Sequence, residues 1–455
     1  MLPLSSSKET SGKYAVLTQE MLNSATDSFV IKENYSLMGN KLIVPDGVSL
    51  EIAEGGLFNG ELSGTNSFLK VSKKGPVFGV DLVISGTWNV PEVHDGWFFF
   101  DDSPDFVSNQ LINNMLSFSD DKTPCHIFLD EDRTYYYELP YKGRGDLGRL
   151  VGTKVVNGEE KRRYEDILLD KFDYLRIFTI PSNTHLTINN KLKMLPTSIG
   201  AYFVFWEFGK NNITIDGNGT ISGDNDWHIY DKPFTGKAYY GEWGNIFQCI
   251  RCADFTFRDI TIADSFGDCI YYSGSLIPDE TGDRWSSGLL MENVKIIGGR
   301  RNGVAVGARD VVIRNCHFEN CGTDEVKGTS PRCGIDFEPD GLNSYSEIGN
   351  ENVLMENCTF KDNYFDIASY NNNKARYGKV ATTVRNCIFT STVKLTQSHW
   401  LRFENCYFPT LYNTNLSRHL EFVDCEFGQL DQETINAPKH YYYTFTNCRF
   451  NTKKN

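Results

Sequence analysis

The chain has 455 residues, twelve cysteines and a formal net charge of −14, from 45 basic and 59 acidic side chains. At ~150 residues per domain, length alone predicts about three domains, and a 40% hydrophobic, 13% aromatic composition excludes global disorder. The acidic balance argues against nucleic acid or an anionic membrane as partner, because phosphate needs a basic footprint; no apolar run approaches the ~18 residues of a membrane-inserted helix.

The opening MLPLSSSKETSGK has no apolar stretch able to act as a signal peptide, so either the protein is not exported by that route or the chain begins after a removed signal. Residues 1–100 read as an N-terminal β-rich module, with alternating, Gly-rich sequence over 41–90. Residues 104–118 place Phe106, Leu111, Ile112, Met115 and Leu116 at helical spacing, which predicts a short amphipathic helix. Such a helix suits the open end of a stacked sheet. The charged stretch 141–166 lacks periodicity and reads as an exposed insertion.

From there the chain repeats itself. Six cysteines share one context: NCHF (315–318), NCTF (357–360), NCIF (386–389), NCYF (405–408), DCEF (424–427) and NCRF (447–450). Each follows an alternating lead-in. In VVIRNCHF the spacing turns Val311, Ile313, Cys316 and Phe318 inward and bends the chain at Arg314 and Asn315. Units of ~20–25 residues, strand–turn–strand, predict a parallel β-solenoid in which equivalent positions stack ~4.8 Å apart. The cysteines then form an internal ladder of reduced thiols and the phenylalanines a second one. Cys249 and Cys252 make a lone C-x-x-C, weak evidence for zinc.

The order of the helix at 104–118, IFLDEDRTYYY, IPSNTHLTINN (180–190), ITIDGNGTISG and the N-C-x-F coils resembles the pectate-lyase-like superfamily of right-handed parallel β-helices, over roughly 101–455. The stretch GGLFNGELSGTN…SGTWNVPEVHDGWF resembles a segment that precedes such helices in Bacteroides-type gut bacteria and their phages, where the proteins are tail spikes or fibres. The resemblance implies an all-β, right-handed parallel β-helix with a short N-terminal capping helix. It implies a polysaccharide partner and an extracellular, cell-surface or virion-surface location. It assigns no roles, because one scaffold hosts many chemistries.

The residues themselves suggest where chemistry could sit. Aligning the strand after each bend gives CIYYS (269–273), GVAVG (303–307), GIDFE (334–338) and YFDIA (364–368). One outward column is then Tyr271, Ala305, Asp336 and Asp366; the next is Ser273, Gly307, Glu338 and Ala368. Asp336 and Glu338 fall ~6.6–6.8 Å apart at Cα on one face, above a floor of small residues and before the turn Pro339–Asp340–Gly341. Like charges this close raise at least one pKa, as glycoside hydrolysis requires. The same acids could instead solvate an exposed face or bind calcium between coils.

Arg300, Arg301 and Arg332 are candidates to clamp an anionic substrate, or merely to balance the acids. Glu242 lies in the aromatic turn YYGEWGN with Trp243; Trp227 and His228 lie in DNDWHIYD; Asp268 lies in ADSFGDCIYY. The favoured reading makes Asp336 and Glu338 the reacting pair, with Asp268 and Glu242 as further catalytic candidates. Arg300, Arg301, Arg332, Tyr271, Trp243, Trp227, His228 and Asp366 would bind substrate. The polygalacturonase set and the pectate-lyase signature are absent from the sequence. Two other readings stand beside this one. The first is a phage tail spike or surface adhesin, with or without depolymerase activity, which implies a homotrimer. The second is a lyase with calcium as cofactor. No metal site is assigned.

Overall fold

The computed structural model describes residues 14–101, 106–139, 153–156, 159–162, 176–197, 199, 201–229, 242–275, 280–324, 328–338, 349–370, 378–413, 417–430 and 443–451. The chain divides into two compact units, residues 1–106 with 110–128, and 107–109 with 129–455. Among the described residues, no helix is long and apolar enough to cross a membrane.

The first unit is built from parallel pairs. Ser28–Ile31, Ser49–Ile52, Gly60–Val71 and Lys41–Val44 share one sheet, with Leu82–Asn89 paired to Gly60–Val71. The predicted helix forms over Asn109–Leu116. Leu111, Ile112, Met115 and Leu116 are buried, while Phe106 is half-buried. Its buried Asn114 is fully used: the Ile84 N–H donates to Oδ1 (2.9 Å) and Nδ2 donates to the Leu82 carbonyl (2.7 Å). The helix thus bonds the strand Leu82–Asn89, which would otherwise leave those backbone groups unpaired.

The second unit is the right-handed parallel β-helix. Its first sheet runs from Thr184–Ile188 to Thr444–Thr446, its second from Thr134–Tyr137 to Thr359–Lys361, and its third from Arg176–Phe178 to Arg449–Phe450. Every described pairing between coils in these sheets is parallel; coils up to Thr359–Lys361 contribute in turn to the three faces, and the later described coils contribute strands to the first and third.

The repeat explains itself at one corner. Asp259, Asn293, Asn315, Asn357, Asn386, Asn405, Asp424 and Asn447 all have φ between 49° and 56°. Asn and Asp tolerate this left-handed conformation best among residues with a Cβ. Their amides also stack: Asn386 Nδ2 donates to Asn357 (3.1 Å) and Asn405 Nδ2 to Asn386 (2.9 Å). The corner turns the next residue inward: Ile260 and Val294 in the earlier coils, cysteine in the later ones. Cys316, Cys358, Cys387, Cys406 and Cys425 are buried, and each thiol donates to the carbonyl two residues back at 3.3 Å. All twelve cysteines are free thiols.

Two residues on, Phe318, Phe360, Phe389, Phe408, Phe427 and Phe450 form a continuous stack with centroids 4.9–5.3 Å apart. Each buried ring contributes about 1.5–3 kcal/mol by leaving water, plus ~0.5–1.5 kcal/mol from ring pairing. Outside the first sheet the charges alternate in register, Arg258, Glu292, Arg314, Glu356, Arg385, Glu404. Close pairs include Arg314–Glu292 (2.7 Å) and Arg385–Glu356 (2.6 Å). A slip by one coil would set like charges together. This ladder thus favours the observed stacking even though each exposed pair contributes little.

Within the predicted insertion at 141–166, Thr153–Val156 pairs antiparallel with Glu159–Arg162. The remainder of 141–166 lies outside the described residues, as do Tyr239–Gly241 and the turn Pro339–Asp340–Gly341.

Candidate active site

The third sheet carries the candidate site. Its outward column, read through the pairing register, is Gln248, Tyr271, Ala305, Asp336, Ala368, Lys394 and Tyr412. Adjacent members are one strand spacing apart, ~4.8 Å. The sequence alignment predicted the first part of this column and erred at Asp366. Ala368, not Asp366, is the neighbour of Asp336. The correction has a physical cause. Asp366 is fully buried at a corner, where Oδ2 accepts the backbone N–H groups of Thr390 (2.6 Å) and Ser391 (2.7 Å) and Oδ1 accepts from Asn363 (3.0 Å). Cys333 and Ile335 pair with Phe365 and Ile367, so Asp366 falls two residues before the neighbour of Asp336. Asp366 does not border the cleft.

Glu242, Trp243, Asp268, Tyr271, Arg301, Asp336 and Glu338 line one cleft of about 550 Å³. Four acids read separately from sequence therefore converge. The floor on either side of Asp336 is Ala305 and Ala368, as small as the cleft requires. Glycine is needed one step in: a Cβ on Gly303 would stand 2.4 Å from the Gly334 carbonyl oxygen.

Arg301 organises the acids. Its Nη1 donates to Asp268 Oδ2 (2.7 Å) and its Nε to the Ser330 carbonyl (3.1 Å). Burial disfavours the guanidinium charge, but Asp268, Asp336, Glu242 and Glu338 outweigh burial and raise its pKa. Asp268 is fully buried; the Asn245 side chain accepts its backbone N–H (2.8 Å). Burial raises the Asp268 pKa to about 6, against the opposing pull of Arg301 and with added repulsion from Glu242.

Asp336 is raised well above the ordinary carboxylate range. Burial is the largest cause. Repulsion from Glu338 and a hydrogen bond with it act in the same direction, and Arg301 opposes them. Among the described residues, Asp336 Oδ2 and Asp268 Oδ1 are buried oxygens with no hydrogen-bond partner. The cleft thus holds one carboxyl favoured in its acid form, another poised near neutrality, and a free oxygen on each.

Several candidates lie elsewhere. Arg332 matches Arg301 in register, but its backbone is left-handed (φ 64°). Its guanidinium lies 3.7 Å over the Tyr364 ring and Nε donates to the Gly322 carbonyl (2.7 Å). Arg300 is buried against Phe266, its guanidinium 4.1 Å over the ring, with Nε on the Phe266 carbonyl and Nη1 on Thr329 (3.1 Å). His228 stacks on Phe266 (3.9 Å), with Nδ1 bonded to Asp224 (2.7 Å). Trp227 donates Nε1 to the Met194 carbonyl (3.0 Å). None of these four lines the cleft.

Sequence reasoning passed over Lys394, Tyr370 and Thr396, which also line it. For Lys394 and Thr396 the only signal is alternation in TVKLT, Tyr370 ends the strand run FDIASY, and the place of all three depends on coil register. No group of three His, Cys, Asp or Glu side chains among the described residues is arranged to hold a metal ion. Asp340, one of the acids considered for calcium, lies outside them.

Comparison with known proteins agrees with the fold. Residues 245–427 match the family described as right-handed beta helix region. A search of curated protein sequences finds no match. Similar solved structures include the tailspike protein of E. coli bacteriophage HK620 in complex with pentasaccharide (11% identity, TM-score 0.42, 79% of this chain and 65% of that one). An Asp-to-Asn variant of the same tailspike, also with pentasaccharide, gives 11% identity and TM-score 0.43 over the same shares. A protein of Parabacteroides merdae, provisionally named a glycosyl hydrolase, gives 10% identity and TM-score 0.27, covering 74% of this chain and 99% of that one. The chain spans 65% of the length of these tailspike structures.

Proposed function

We propose that this protein binds a polysaccharide along the third sheet and hydrolyses it in the cleft around Asp336. The observation that carries the reading is the convergence of Asp336, Glu338 and Asp268 on one cleft, with Asp336 pushed toward its neutral form and Asp268 near neutrality. Glycoside hydrolysis needs such a division between acid and base.

In this reading Asp336 is the general acid. Its proton passes to the glycosidic oxygen as the bond from that oxygen to the anomeric carbon breaks. A water attacks the anomeric carbon, and its proton passes to the Asp268 carboxylate. Glu338 keeps the proton on Asp336, because two carboxyls in hydrogen-bonding reach cannot both ionise cheaply. Arg301 orients Asp268 and limits the rise of its pKa. Tyr271 and Trp243, which border the cleft, offer faces on which sugar C–H groups can pack.

The coils bearing Asp268 and Asp336 are separated by the strand Asn302–Gly307, and both carboxyls border the cleft. A water admitted between acid and base would give inversion, and the anomer first released by the parent protein reports it. The test is to change Asp336, Glu338 and Asp268 singly to amides and measure oligosaccharide release from capsular and plant glycans. Loss in Asp336→Asn and Asp268→Asn supports the assignment; unchanged release from both overturns it. The family resemblance is compatible with a place on a cell or virion surface.

A further inference from the structure

The outward column continues past the acids. Beyond Asp336 come Ala368, then Lys394, then Tyr412. Lys394 lines the same cleft as Asp336. It stands two strand spacings from Asp336, ~9.6 Å, on the side away from Asp268.

The cations of this cleft differ in how they are used. Arg301 is paired with Asp268 at 2.7 Å and surrounded by acids. Lys394 has no carboxylate partner among the described residues. Its ammonium lies 5.1 Å from the centroid of the Phe365 ring, which steers the side chain without neutralising it. Beside it are Tyr370 and Thr396, both bordering the cleft. Tyr412 is half exposed at the end of the column. An unpaired cation in a cleft otherwise crowded with carboxylates has a specific consequence. With Arg301 already engaged by Asp268, an anionic group is repelled by the carboxylates of Glu242 and Glu338 that line the cleft and attracted at Lys394.

Resting on the hydrolase reading, we infer that Lys394, with Tyr370 and Thr396, forms an anion-recognising subsite for a carboxylate- or sulfate-bearing sugar, bound two coils to the C-terminal side of the bond cleaved at Asp336. The neutral sugar at the reacting position lies over Ala305 and Ala368. The acidic sugar follows beyond Ala368, where the ammonium meets it. This placement gives the cleft a direction as well as a substrate class: the charge of the glycan must fall on one side of the scissile bond.

A glycan microarray carrying neutral oligosaccharides and their uronate- and sulfate-bearing counterparts tests this, using the full chain with Asp336→Asn to suppress turnover. The expected result is retention of acidic glycans, weakened at least ~10-fold by Lys394→Ala, as for loss of a charge-assisted bond. Lys394→Arg should keep most of the binding. Raising salt should weaken the parent and leave Lys394→Ala little changed. The uronate and sulfate members of each pair identify which anion is read. Thermal melting of each variant checks that the coil is intact. Retention of neutral glycans alone, or acidic binding unaffected by Lys394→Ala in a folded variant, overturns the subsite and leaves the hydrolase reading standing. Retention of no glycan overturns both.

Discussion

Replacing Asp336 with asparagine should stabilise the protein and inactivate it, with the stabilisation depending on pH. Asp336 is buried and raised well above the ordinary carboxylate range. In the unfolded chain an aspartate titrates near ~3.9. A carboxyl that stays neutral in the fold lets the unfolded state gain about 1.36 kcal/mol for each pH unit above that value. The loss of stability grows as pH rises above the unfolded value toward the raised folded one. The sign is that of a raised pKa: the contribution to stability is full below the unfolded value and disappears as pH rises toward the folded one. Asparagine carries no such burden, and its amide can donate to Glu338. Calorimetric melting across a range from mildly acidic to mildly alkaline pH should therefore show the two proteins equal at about pH 4 and the variant increasingly more stable toward pH 7. Activity should fall ~10²–10⁴-fold with loss of the proton donor. A stability difference that is constant with pH, or a variant that loses ground as pH rises, would refute the reasoning.

Three further outcomes follow from the same geometry. Arg301→Gln removes the positive charge that lowers the Asp268 pKa, so the Asp268 carboxyl should titrate ~1–3 units above its value of about 6, measured by carbon NMR on aspartate-labelled protein; an unmoved titration contradicts the pairing. Asn386→Ala loses two amide ladder bonds and forces alanine into φ 55°, which should cost about 1–3 kcal/mol in denaturant unfolding, with Asn386→Gly milder. Ala305→Leu places a bulky group between Tyr271 and Asp336 and should abolish glycan binding while the melting temperature stays near that of the parent; retained binding would move the glycan off this column.

Much of the coil was legible because few residues can satisfy it. The left-handed corner at Asn315, Asn357 and Asn386 admits Asn or Asp, the tight interior after it admits cysteine, and the next inward place holds phenylalanine. The three restrictions recur together, so the period shows through. The strand carrying Asp366 was misaligned because corner length varies between coils. Nothing in YFDIA reveals that its aspartate caps the turn at Thr390 and Ser391. Arg332 was misread for a similar reason, since its left-handed backbone turns it onto Tyr364. Lys394 enters the cleft only through coil stacking that a linear sequence does not display. Glu242, Asp268 and Asp336 were legible as separate candidates, but neither their shared cleft nor the ion pair that joins Arg301 to Asp268 was. The length prior of about three domains gives way to two compact units.

The central claim is that Asp336 and Asp268 add water across a glycosidic bond. Digestion of an acidic capsular or plant glycan in ¹⁸O-labelled water, followed by mass spectrometry of the products, addresses it directly. Hydrolysis predicts one solvent oxygen at each new reducing end in the parent protein, and none formed by Asp336→Asn. Products that carry no solvent oxygen and have an unsaturated terminal sugar would contradict the account and establish elimination in its place.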